Sequence, residues 1–87
     1  MPYIDQESRE KFTEPIKILW DSIITEGELN YVMTKLALNF VSKQGGDSYT
    51  NLAKVLAAFE AAKLEFYRRK VAPYEQLKSL QNGDVYG

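Results

Sequence analysis

The sequence contains no cysteine and no histidine among its 87 residues. Without cysteine there is no disulfide, no thiol nucleophile and no cysteine-ligated zinc or iron–sulfur site. Without histidine the chain lacks the commonest metal ligand and the usual general base of enzymes. These absences leave carboxylate chemistry with a hard cation such as magnesium, or binding without catalysis.

Long apolar stretches are also missing. No run of about 18 uncharged apolar residues occurs, so the sequence predicts no membrane-spanning helix. The first residues, MPYIDQESREKF, lack the basic start and apolar run of a signal peptide, and we expect a cytoplasmic location. The proportions of 45% hydrophobic and 26% charged residues indicate a globular chain rather than a disordered one. The length predicts one domain over residues 1–87, ending at residues 81–87 in a frayed tail or a short extended arm.

The charges are divided along the chain. Residues 1–28 contain seven acidic and three basic side chains, whereas residues 61–80 contain five basic and two acidic ones. Opposite charges favour packing of the N-terminal segment against the late helix, within one chain or across a dimer. The formal net charge of −1 does not favour general polyanion binding.

Apolar residues recur at steps of three and four, which predicts an all-α fold. The three stripes are Ile16, Leu19, Trp20, Ile23 and Ile24; Leu29, Val32, Met33, Leu36, Ala37, Phe40 and Val41; and Leu52, Val55, Leu56, Phe59 and Phe66. They predict helices near residues 15–24, 26–43 and 49–71, with a short helix at 6–12 and a helical extension after Pro73. Because the loop between the last two long helices is short, we expect a small antiparallel helical bundle with a central two-helix hairpin.

The expected helix ends carry recognisable capping residues. Asp5 is a good N-cap, and Pro15 suits the first turn of a new helix because its missing N–H would have no partner there. Thr25 and Glu28 fit the capping-box pattern. The glycine pair at residues 45–46 is typical of a helix C-terminus.

Carboxylates at helical positions suggest one possible chemistry. Three of them are candidate magnesium ligands: Glu28, Glu60 and Glu65. If these carboxylates held magnesium and Arg68 or Arg69 bound a phosphate, the chain would be a nucleotide-binding or nucleotide pyrophosphohydrolase-like protein. All-helical pyrophosphohydrolases add an E-x-x-D pair, which this sequence lacks. The alternative is that these carboxylates have structural roles, with Glu28 completing a helix capping box.

Basic and aromatic residues lie close together in residues 63–70, KLEFYRRK. Such a segment can clamp phosphates and stack bases, and the candidates for weak nucleic-acid binding are Lys63, Arg68, Arg69 and Lys70. Successive helical residues, however, point about 100° apart, so three adjacent cations do not form one patch. Cations near a helix C-terminus also complement the helix dipole.

The chain is rich in tyrosine, since it contains six tyrosines and 13% of its residues are aromatic. Tyrosines outside a core often build interfaces, where the ring contributes contact area and the hydroxyl stays hydrogen-bonded. The alternative is that they close the edges of a small core. Both interpretations remain open.

Several strings resemble a small uncharacterised family found in bacteriophages, including marine cyanophages, and in some bacteria and archaea. The strings are MPYI at residues 1–4, EGELNY at 26–31, KLEFYRR at 63–69, APYE at 72–75 and NGDVY at 82–86. The resemblance covers essentially the whole chain and implies a phage or prokaryotic setting, without implying a mechanism. The family pattern includes Glu28, Asn30, Tyr31, Glu65, Tyr67, Arg68, Arg69, Tyr74 and Asp84.

The function that the sequence favours is a small non-catalytic interaction or accessory protein that forms a homodimer, or binds another protein, through helical surfaces. Neither a metal nor a cofactor is expected in this interpretation, with magnesium kept for the nucleotide alternative. The candidate ligand or interface residues are Glu28, Asn30, Tyr31, Glu65, Tyr67, Arg68 and Arg69.

Overall fold

The structure, a computed structural model, describes all 87 residues, and its regular secondary structure is entirely helical. They are α1 at Gln6–Ser22, α2 at Glu26–Lys43, α3 at Tyr49–Phe66, a π-helical segment at Tyr67–Val71 and α4 at Ala72–Asn82. The predicted all-α class is confirmed. None of the helices combines the length and the apolar character needed to cross a membrane.

Helix α1 begins at the predicted cap, where the Ser8 N–H donates to Asp5 Oδ1 at 2.8 Å. The prediction of two helices in this region, with a new start at Pro15, is wrong because α1 continues through Pro15. A proline in a helix removes one N–H and crowds the carbonyl four residues earlier, here that of Lys11. This disturbance is local, and the turns on both sides keep their helical form.

Helix α2 has the two ends that the sequence predicts. Thr25 and Glu28 form the capping box at its start. At its end the Gly46 N–H donates to the Val41 carbonyl at 3.0 Å, and the Gly45 N–H donates to the Ser42 carbonyl at 3.1 Å. This pair of bonds is a Schellman motif, which requires positive φ angles and is met here by glycine.

Helix α3, the π-helical segment and α4 follow one another without a break. The sequence predicts a helix over 49–71 that ends or kinks at Pro73. Instead, the backbone widens one turn earlier, and the Ala72 N–H donates to the Tyr67 carbonyl, five residues back. Pro73 is then the second residue of α4 and cannot donate the usual hydrogen bond to the Arg69 carbonyl, four residues earlier.

The chain divides into two units, Pro2–Leu56 and Ala57–Gly87, the second of which also includes Met1. Within Pro2–Leu56 the helices α1 and α2 and the first two turns of α3 do not pack side by side. The predicted central hairpin is therefore not formed where α2 meets the beginning of α3. Helical periodicity shows which face of a helix is apolar, but it does not show what covers that face.

Very little of the chain is buried. Val41, beneath the Schellman turn, is 5% exposed and is the one buried side chain. The large apolar residues of the predicted stripes are exposed or half-buried in both units. The predicted core positions are thus real apolar faces of helices, but they form no core within either unit.

The apolar faces of the helices share one spacing. Steps of four, three and four residues separate Phe12, Ile16 and Leu19 on α1 and its C-cap residue Ile23, and also Leu29, Met33, Leu36 and Phe40 on α2. On α3 the steps are four and three, through Leu52, Leu56 and Phe59. This is the spacing of helices that pack along one another by inserting side chains into the gaps of a neighbour.

Candidate functional site

The predicted site residues lie in different units of the chain. Glu28, Asn30 and Tyr31 belong to α2 in Pro2–Leu56, whereas residues 65–69 belong to Ala57–Gly87. Each group has its own hydrogen bonds and its own groove.

Glu28 is engaged at the start of α2. Its Oε1 accepts hydrogen bonds from the Thr25 N–H at 2.9 Å and the Ile24 N–H at 3.0 Å. The Thr25 hydroxyl also donates to it at 3.2 Å, while the Glu28 N–H donates to that hydroxyl at 3.1 Å. The backbone donors favour the ionised carboxylate, so they lower the pKa of Glu28 from its ordinary value. Glu28 therefore acts as a cap.

The neighbours of Glu28 are less constrained. The Thr34 hydroxyl donates to the Asn30 carbonyl oxygen at 2.8 Å and lies 3.3 Å from Asn30 Oδ1. Tyr31 is exposed and lines an open groove of about 470 Å³ with Leu19, Ile23 and Val32. The groove also contains the Glu28 carboxylate, whose negative charge disfavours an anionic ligand such as a nucleotide.

Glu65 and Arg68 form an ion pair at the junction of α3 and the π-helical segment. Arg68 Nε lies 3.1 Å from Glu65 Oε1, and Arg68 Nη2 lies 2.5 Å from the same oxygen. The Glu65 side chain is the more covered partner. A carboxylate held by an arginine in this way is less available to a metal ion.

The π-helical segment brings two distant side chains together. The Tyr67 hydroxyl donates to Glu75 Oε1 at 2.9 Å, across eight residues of sequence. The hydrogen bond and the nearby carboxylate charge both oppose ionisation of the phenol, so they raise the pKa of Tyr67 above its ordinary value of 10.0. The bond thus contributes to stability below pH 10 and is lost as the pH rises through the raised value.

A groove of about 630 Å³ lies beside this pair, lined by Tyr67, Tyr74, Glu75, Lys78 and Tyr86 among others. The Lys78 ammonium lies 5.6 Å from the Tyr74 ring centre, a cation–π distance. Tyrosine is enriched in protein interfaces, whereas lysine and glutamate are depleted there and suit only the polar rim. The groove is open to solvent rather than enclosed.

The metal-binding alternative has no ligand set in the structure. No group of three or more acidic side chains is placed to hold a metal ion. Glu28 is used in the capping box, Glu60 lies 3.7 Å from Lys63 and Glu65 pairs with Arg68. Glu60 and Glu65 are five residues apart, so they point about 140° apart on α3.

Two of the four basic residues proposed for nucleic-acid binding form ion pairs within the chain. Lys63 and Arg68 have acidic partners on the same helical run, Glu60 and Glu65. Arg69 and Lys70 are exposed on the π-helical segment, on different sides of it. Two separated cations supply little of the phosphate neutralisation that such binding needs.

Two features escape prediction from the sequence. One is the groove of about 470 Å³ on α1, lined by Phe12, Ile16 and Trp20 with Pro2 and Ile4. Trp20 is 73% exposed in this groove, whereas its place in the stripe predicts a core residue. The other is the hydrogen bond between Tyr67 and Glu75. Helical spacing does not predict this bond, because residues eight apart do not face each other on an ordinary α-helix. The nearby Pro73 is the one feature of the sequence that indicates an irregular helix here.

Comparison with known proteins identifies a family. Residues 1–85 match the model of the family described as Domain of unknown function (DUF6899). The match spans nearly the whole sequence, and the chain belongs to this family. No curated protein and no solved structure matches the chain.

Proposed function

We propose that this chain is a non-catalytic interaction protein that self-associates through the apolar faces of its helices. The observation that carries this proposal is the exposure of those faces. A chain with 45% hydrophobic residues and one buried side chain leaves its main source of folding energy unused. Contact with another polypeptide supplies the missing burial.

The surface area of the chain supports association. The accessible surface is 7937 Å². A compact monomer of 10.0 kDa exposes about 5,200 Å². Two separately compact bodies with the sizes of the two units would together expose about 6,300 Å². The surplus is then about 1,600 Å² per chain, and a dimer that buried it would hide about 3,200 Å², which is typical of an obligate homodimer.

The test compares two leucines of α2 that differ only in the face they occupy. Leu36 is 58% exposed and lies on the heptad-spaced face, whereas Leu38 is 60% exposed and lies opposite it. We expect Leu36→Lys to weaken self-association by about 100-fold or more, because a buried leucine contributes about 2 kcal/mol in each copy. Lysine and leucine have similar helix propensities, so helix formation itself changes little.

Leu38→Lys is the matched control and should associate like the unmodified chain. Sedimentation velocity from low to high micromolar concentration measures both variants. A chain that stays monomeric over this range, or two variants that behave alike, would contradict the proposal.

The setting of the protein is part of the same proposal. The resemblance of residues 26–31 and 63–69 to phage and prokaryotic sequences supports a phage or prokaryotic origin. A cytoplasmic location, in the host if the chain is encoded by a phage, agrees with a protein that lacks cysteine. Fractionation of cells that express the chain tests the location.

A further inference from the structure

The apolar residues of α2 and α3 are arranged symmetrically about the turn that joins the two helices. Phe40, Leu36, Met33 and Leu29 lie 6, 10, 13 and 17 residues before Gly46. Leu52, Leu56, Phe59 and Lys63 lie at the same distances after it. Residues equidistant from a turn meet when two helices pair in antiparallel fashion. The sequence therefore defines four layers, three of which are entirely apolar.

Within the chain the layers nearest the turn are not formed. Leu36 and Leu56 are 58% and 69% exposed, and Phe40 and Leu52 are also exposed. Although α2 and the first two turns of α3 flank this turn directly, they do not pack along each other. The layers are thus specified by the sequence and left open in the single chain.

The turn itself is held by its own hydrogen bonds. Asn51 Nδ2 donates to the Gly46 carbonyl at 2.9 Å and to the Gln44 carbonyl at 3.2 Å. The Asn51 N–H is capped by Ser48 Oγ at 3.1 Å. These bonds tie the start of α3 to the end of α2 in the open arrangement, without help from the apolar layers.

We propose that the layers form between two copies of the chain, with α2 of one copy lying antiparallel on α3 of the other. The exchange is reciprocal about a two-fold axis, so both copies complete both pairs and neither α2 nor α3 keeps an open apolar face to continue the assembly. The inference rests on the proposed self-association and names its partner, a second copy, and its register.

Area and charge both fit a second copy. The surplus of about 1,600 Å² per chain is what two long helix pairs in a dimer would cover. The outermost layer places Lys63 opposite Leu29, one turn from the acidic start of α2 with Glu26. The lysine ammonium at the end of the seam therefore meets carboxylates rather than other cations.

The experiment uses the absence of cysteine, because introduced thiols are then the only ones present. Leu36→Cys and Leu56→Cys are made as separate variants, one with a size tag, and mixed under mild oxidation. We expect about tenfold more disulfide-linked mixed dimer than in a control mixture of Leu38→Cys and Lys54→Cys. The control residues are also equidistant from Gly46, but they lie away from the apolar face.

A chain carrying both Leu36→Cys and Leu56→Cys separates exchange from closure within one chain. Exchange yields a covalent dimer, whereas an internal hairpin yields an oxidised monomer, which would overturn the inference. Sedimentation of the reduced variants separates the two proposals. If the protein is a dimer but gives no more mixed disulfide than the control, the proposed register is wrong and self-association still holds. If the protein is a monomer at every concentration, both proposals are wrong.

Discussion

A single carboxylate oxygen holds the beginning of α2. Glu28 Oε1 accepts from two backbone N–H groups and the Thr25 hydroxyl, and these bonds lower the pKa of Glu28 below its ordinary value of 4.5. A group whose pKa is lowered by folding stabilises the fold above its unfolded pKa. That contribution is lost as the pH falls through the lowered folded value. Asp5 caps α1 in the same way, with its pKa lowered by the Ser8 N–H.

We expect Glu28→Gln to flatten the acid side of the stability profile below pH 4.5, because the amide does not gain a proton there. Thr25→Ala, which removes the other half of the capping box, should cost about 1 kcal/mol at neutral pH. Urea unfolding followed by circular dichroism between pH 3 and pH 7 measures both effects. Glu26→Gln, which removes a carboxylate from the same turn, is the control, and an equal flattening by Glu26→Gln would refute the assignment.

The helical elements show how far the sequence alone can lead. Both ends of α2 follow from local chemistry, since the capping box at residues 25–28 and the glycine pair at 45–46 are built from neighbouring residues. The exact course of α1 does not follow, because a proline at position 15 is compatible with either a helix start or a helix interior. The sequence also does not predict what packs against each apolar face, since the spacing of apolar residues contains no information about the partner. Among the candidate site residues, only the capping role of Glu28 could be derived.

The π-helical segment links backbone geometry to a measurable side-chain property. Pro73 cannot donate to the Arg69 carbonyl, and its ring crowds that carbonyl, so the widened turn at Tyr67–Val71 accommodates both effects. The extra residue in this turn rotates α4 relative to α3, which brings Glu75 to the Tyr67 hydroxyl. The raised pKa of Tyr67 is therefore a readout of the widened turn.

We expect Pro73→Ala to let the turn relax towards α-helical geometry and separate Tyr67 from Glu75. The pKa of Tyr67 should then fall back towards 10.0, because the carboxylate no longer opposes ionisation. Ultraviolet titration of phenolate measures this, with the Tyr67→Phe form of each protein subtracted to isolate one tyrosine among six. Glu75→Gln gives the reference for a broken link. A Tyr67 titration unchanged by Pro73→Ala would show that the proline does not impose the turn.

For the whole molecule, proposed self-association and folding are one equilibrium. If two chains must meet before their apolar faces are buried, the melting temperature depends on protein concentration. For a dimer of this size we expect the midpoint to rise by about 4 °C for each tenfold increase in concentration. Scanning calorimetry over a range of concentrations measures this slope. Leu36→Lys should lower the midpoint at every concentration, by about 8 °C for a 100-fold weaker association, and a midpoint independent of concentration in the unmodified chain would argue for a self-sufficient fold.

The near-absence of buried side chains also bears on how much of the protein a cell keeps. A lone chain in which only Val41 is buried presents its leucines and aromatic residues to proteases and chaperones. A chain that has met its partner hides them. Scarce copies would then be cleared quickly and abundant copies would survive, so steady-state abundance would rise more steeply than synthesis and would show a threshold.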